Sequence, residues 1–326
     1  MFDSRYKWFS KAEANEVPAP RDMEKLLIYC VKLVTKAFLN SLFTHHHYFR
    51  PVRNSIYERP YSDILKMFSN AIQDLSASLN AWRLWSLLGW LEIRQRYARS
   101  RLGPFWLTIS MGVIIGSIGV VYGTLFNQNI AVYLPMMGIG LVFWVLLTSI
   151  INESCMAYIN SAGYIRQTST PKLLFMLQVG WRNFMIFIHN FVIVILLLVI
   201  FGSQNWSTFP IFIPGLALFI LNALWIGQVL GIISARFRDL PQITAAVLQM
   251  AFYVTPILFP PSMLNEHRWI VEYNPFAYLL ELVRGPLTGH APGPLTWSVT
   301  GAMAIFGWLL ALALTERYLK RIPYWV

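Results

Sequence analysis

The stretch FMIFIHNFVIVILLLVIF, residues 184–201, decides what kind of molecule this is. It carries no Asp, Glu, Lys or Arg, and its apolar side chains run all round a helix rather than along one face. At 1.5 Å per residue its 18 residues reach about 27 Å, close to the ~30 Å hydrocarbon core of a bilayer. Five further segments read the same way: residues 104–126, 133–151, 209–234, 243–259 and 297–314. The expected fold is an all-α integral membrane protein with six transmembrane helices. Residues 260–295 differ in character. They are broken by Pro261, Pro275, Pro286, Pro292 and Pro294, which fits two short re-entrant or surface helices between spans five and six.

Composition agrees. The chain is 56% hydrophobic and 13% charged, about half the charged share of a typical soluble domain. Of its 26 Lys and Arg, 16 precede Pro104, as do nine of its 15 Asp and Glu. The charge marks out three regions: a cytoplasmic N-terminal extension (1–80), an interfacial helix (81–103) and a membrane body (104–326). The first 25 residues hold charges and no apolar core, so no cleavable signal is expected and the first span serves for insertion. Cys30 and Cys155 make neither a disulfide framework nor a metal pair.

Lys and Arg set the orientation. They precede span one (Arg94, Arg96, Arg99, Arg101), follow span two (Arg166, Lys172, Arg182), follow span four (Arg236, Arg238) and follow span six (Arg317, Lys320, Arg321). The loops at residues 127–132 and 202–208 have none, and residues 260–295 have only Arg268 and Arg284. The alternation supports six crossings with both termini cytoplasmic.

Apolar residues at helical spacing mark amphipathic helices over residues 22–43 and from Ile64 to Leu79. They fit either membrane or partner contact, or a hairpin that covers itself. Residues 81–101 combine Trp82, Trp85 and Trp90 with the Arg cluster, the composition of an in-plane interfacial helix. The run His45, His46 and His47 reads as a solvated loop, because adjacent residues share no helix face for a metal.

Chemistry is scarce. No GxxxxGK[ST] run is present for nucleotide phosphates. Within the spans the ionisable candidates for an ion relay are His189 and, just past span two, Glu153. No Ser/His/Asp set or HExxH run supports catalysis, and Glu266, His267 and Glu272 read as surface residues. No metal, cofactor or nucleic acid is expected on this chain. Active transport would take its energy from another subunit.

Two stripes stand out. Gly112, Gly116, Gly119 and Gly123 share one face of span one and favour close helix packing; a smooth wall for a bulky substrate is compatible with this. Gln242, Ala246, Gln249, Tyr253 and Pro256 share a face of span five, where two amides would be costly against lipid. Amides with an aromatic ring suit sugar hydroxyls and C–H faces; helix–helix hydrogen bonding is the competing reading.

Four stretches carry a family resemblance: RYARSRLGPFWLTIS (96–110), ARFRDLPQI (235–243), TPILFPPSM (255–263) and YNPFAYLLELVRGPLTG (273–289). In this order and spacing they resemble the permease subunits of ABC-2 type exporters of O-antigen and capsular polysaccharides. The resemblance covers roughly residues 91–326; the extension before residue 81 departs from it and stays unassigned.

It implies a homodimer in the bacterial inner membrane working with two copies of an ABC ATP-binding subunit, which would hold ATP and Mg. The substrate would be a lipid-linked polysaccharide. Phe105, Trp106, Tyr122, Gln249, Phe252 and Tyr253 become candidates for the translocation path. Asn274, Pro275 and Arg284 fall in the implied periplasmic gate. Arg166, Lys172, Arg236, Arg238 and Asp239 become candidates for ATPase coupling. An ABC-2 permease for drugs or small lipids and a membrane transferase acting on polyprenyl-linked glycans are the rivals. Charge reversal at both Arg238 and Asp239 is expected to lower export and substrate-stimulated ATP hydrolysis together. Unchanged values for both would remove this loop from coupling.

Overall fold

The computed structural model describes residues 68–98, 103, 105–201 and 206–326, all within one compact unit, Pro60–Val326. The expectations for residues 1–67, Arg99 and Arg101 lie outside the described residues. Two short helices, α1 (Ser69–Asn80) and α2 (Trp82–Tyr97), lead into α3 (Phe105–Leu125), α4 (Ile130–Asn160), α5 (Ala162–Gln167), α6 (Leu173–Phe201) and α7 (Phe209–Arg236). Then come α8 (Leu240–Val254), a 3-10 turn (Pro261–His267), α9 (Trp269–Glu272), α10 (Pro275–Leu287), α11 (Pro294–Tyr318) and α12 (Ile322–Trp325). No strand occurs among the described residues.

Local chemistry explains the boundaries. Asn127 takes the left-handed φ of 51° that the tight turn after α3 needs, and the Asn129 side chain accepts from the Ala131 N–H at 3.0 Å to start α4. Pro stands in the first turn of α7, α8, α10 and α11, where its missing N–H costs nothing.

Among the described residues five helices, α3, α4, α6, α7 and α11, are long and apolar enough to cross a membrane. The segment expected as span five is shorter than its apolar run. Helix α8 has 15 residues, about 22 Å. It stops because Thr255 precedes Pro256 and adopts φ −84° and ψ 137°, the extended backbone that proline imposes on its neighbour. By contrast α4 and α6 overrun the expected spans, at 31 and 29 residues. Glu153 and Arg182, read from sequence as loop residues, therefore ride on helices. Between α8 and α11 one helix of 13 residues, α10, follows the 3-10 turn and the single turn of α9.

Helix α4 is the axis of the body, packed against α3, α6, α7, α8 and α10. Phe143, at its middle and wholly buried, meets the rings of Phe187, Phe191, Phe212 and Phe219 from α6 and α7 at 5.1–6.4 Å. Lipid tails are as apolar as these rings, so close packing rather than exclusion from water favours the association. The glycine stripe of α3 serves this packing in part. A side chain at Gly119 would overlap Leu134 of α4, whereas Gly116 has nothing within 4 Å.

Candidate functional site

Three constellations join the elements that the sequence marks as functional. The first lies where α2 crosses α6. Gly89 permits the crossing: a Cβ there would stand 3.2 Å from the Gln178 carbonyl oxygen and from the Trp181 ring. At this crossing Arg182 of α6 is held between two carboxylates. Its Nη1 pairs with Glu92 of α2, and its Nη2 meets Glu153 of α4 at 2.7 Å. Asn183 donates to Glu153 at 2.5 Å, Gln178 donates to Glu92 at 2.6 Å, and Arg96 stands 3.6 Å from Glu153. The Arg182 side chain is only 12% exposed, so the pairing offsets a large desolvation cost. One guanidinium thus ties α2 to α4 and α6. Of the anchoring tryptophans, Trp82 and Trp90 are exposed, while Trp85 packs edge-on to Trp181 at 5.7 Å. Arg94 is exposed.

The second constellation gathers the polar ends of the helices. Asp74 of α1 accepts from the backbone N–H of Lys172 (2.9 and 3.1 Å) and Leu173 (2.9 Å), capping the N-terminus of α6. In turn Glu316 of α11 accepts from the Ala71 N–H at 2.7 Å and caps α1. Arg166 and Arg238 donate to the carbonyl oxygens of Val326 and Trp325 respectively, and the Arg236 guanidinium lies over the Trp325 ring. The candidate coupling residues Arg166, Arg236 and Arg238 therefore converge on one short segment; Asp239 stays exposed. Burial raises the Asp74 carboxyl above its ordinary range, opposed by the two backbone N–H groups and by the Lys172 charge. Burial also lowers Lys172.

The third constellation explains the Asn274-Pro275…Arg284 spacing. Asn274 accepts from the Phe276 N–H at 2.9 Å, which starts α10, and its amide donates to Thr255 Oγ1 at 3.0 Å. Arg284, 6% exposed, donates to the Pro256 carbonyl at 2.8 Å, with Glu281 at 3.4 Å. Arg284 thus satisfies one carbonyl of the broken backbone after α8, where a helix can no longer do so, and the cap residue Asn274 ties the start of α10 to the Thr255 hydroxyl. Tyr133 of α4 donates to the Leu258 carbonyl in the same break.

The candidate path residues form two groups, each beside α4. Phe105 and Trp106 open α3 and are exposed, and Tyr122 stacks near Phe126 at 5.6 Å. On α8, Gln242, Ala246, Gln249 and Tyr253 form an open stripe, and Gln249 donates to the Tyr253 hydroxyl at 3.1 Å. Phe252 turns inward onto Trp144 at 6.0 Å.

Sequence reasoning missed Asp74, Glu92 and Glu316 as partners and left Arg182 as a loop cation. The usable signal was a carboxylate, Glu92, inside an otherwise apolar and basic helix.

Residues 83–287 match the protein family described as ABC-2 type transporter. Two O-antigen export system permease proteins RfbA of Klebsiella pneumoniae are each 24% identical over 194 residues, covering 58% of this chain and 74% of the relative. One of Myxococcus xanthus is 24% identical over 196 residues with the same coverage.

The Asp74 cap gives a pH test. Its pKa is higher folded than unfolded, so its contribution to stability is complete below the ordinary carboxylate range and fades as pH rises through the folded value. Asp74→Asn does not titrate. Its melting temperature in micelles is expected to gain on the wild type as pH rises from acid to neutral. A gap moving in favour of the wild type would contradict the assignment.

Proposed function

The chain belongs to the ABC-2 type transporter family, and from that premise we propose that it forms the passage of an ATP-driven exporter of lipid-linked polysaccharide. The observation that carries this reading is the match to three O-antigen export permeases over 194–196 residues of this chain. Family membership implies a partner ABC ATP-binding subunit. The sequence agrees, having no P-loop of its own. ATP and Mg belong to that partner.

The passage needs two copies. Within one copy the α3 aromatics and the α8 stripe face outward, and exposed amides on an apolar helix are costly against lipid. A second copy would cover both and enclose a lining of amides and aromatic rings, groups suited to sugar hydroxyls and ring faces. In this reading α8 with residues 255–259 counts as the sixth crossing, and α10 with the turn before it forms the outer gate. The bacterial inner membrane is the site, with the polar helix ends on the cytoplasmic side.

Co-purification with the ATPase subunit, followed by ATP hydrolysis with and without lipid-linked polysaccharide, tests the proposal. Stimulation by the glycan is expected. Gln249→Ala with Tyr253→Ala should reduce that stimulation about tenfold, the worth of one or two lost hydrogen bonds, while the complex stays assembled. Stimulation by drugs or simple lipids alone, or glycan transfer without the ATPase, would overturn it.

A further inference from the structure

We propose that residues 322–326 act as a splint, holding the two polar loops that flank α5 and precede α8 as one rigid docking unit for the ATPase subunit. This rests on the coupling role read above for those loops. The two loops are distant in sequence, and α12 (Ile322–Trp325) reaches both. Ile322 is wholly buried and Val326 nearly so, in an apolar cluster with Tyr158, Ile165, Phe175 and Ile232. Ile165 belongs to α5, and Ile232 belongs to the end of α7 just before the second loop. The polar rim repeats the pattern. Arg166 reaches Val326 from the first loop, and Arg238 reaches Trp325 from the second, at 2.8 Å. Arg236 covers the Trp325 ring at 5.6 Å.

A lever transmits force only if its parts move together. Two loops that each fray alone would absorb the displacement of a docked partner; loops sharing one packed cluster and one pair of backbone acceptors shift as a unit. The exposed groups on this unit include Tyr164, 59% exposed, Tyr324, 88% exposed, and the charged Arg238, Asp239 and Arg321. Because Ile322 is buried, it cannot touch the ATPase. Any effect of changing it on that partner passes through the loops, which makes it a positioning residue.

The test uses the full chain in nanodiscs with its ATPase subunit. Deuterium exchange is followed at residues 162–167 and 237–240, together with ATPase retention and glycan-stimulated hydrolysis. Ile322→Ala is expected to speed exchange in both loops about tenfold or more, the consequence of emptying a buried site. ATPase retention and stimulated hydrolysis should fall with it. Ile322→Leu should restore all three. Trp325→Ala, which trims only the rim, should act in the same direction more weakly and serves if Ile322→Ala does not fold. Loop exchange unchanged in the Ala variants would overturn the splint. Faster exchange with retention and stimulation intact would leave the splint standing and overturn the coupling role of the loops.

Discussion

Burying the guanidinium of Arg182 is the constraint around which the rest of this structure is arranged. A lone cation at the edge of an apolar body would cost several kcal/mol, and it persists only when paired and hydrogen-bonded. Its partners come from two different helices, Glu92 of α2 and Glu153 of α4. Satisfying one charge therefore fixes three elements against each other. Gly89 completes the condition by letting α2 approach closely enough for Glu92 to reach. Without this tie α2 would be free to slide against α6. With it, a displacement of α2 is felt directly by the two long helices that carry the first loop between them.

The same logic recurs at the opposite end of α4. There the unsatisfied groups are backbone carbonyls, exposed because Pro256 ends α8 early. Arg284 of α10 meets that of Pro256, and Tyr133 of α4 meets that of Leu258. Both irregularities are thus answered by a side chain from a different element. Buried charges are few among the described residues, so under the proposed function these links are how a partner ATPase would be felt across the chain.

Five of the expected spans were legible because their signal is local: 18 or more residues without charge can be read one segment at a time. The start of α10 was not placed from sequence: Asn274-Pro275 entered only through the resemblance, and in the structure the pair is the cap and first-turn residue of α10. What was not legible was pairing across distance. Glu92 and Arg182 lie far apart in sequence, and nothing near either announces the other. Helix lengths were misread for a related reason. Residues 152–183 look polar enough for a loop, yet the glutamate and arginine that make them so are paired, and the helices run on through them. The glycine stripe was read as a single packing face. Gly119 serves α4, while a side chain at Gly116 would meet nothing within 4 Å among the described residues.

The claim that one buried guanidinium couples the interfacial helix to the membrane body can be measured directly. A double-mutant cycle of Glu92→Gln and Arg182→Met, read as unfolding stability and as glycan-stimulated hydrolysis in the assembled complex, isolates the pair from its surroundings. A coupling energy of about 1–3 kcal/mol, with a matching non-additive loss of stimulation, is the predicted result. Additive effects on both readouts would contradict the account.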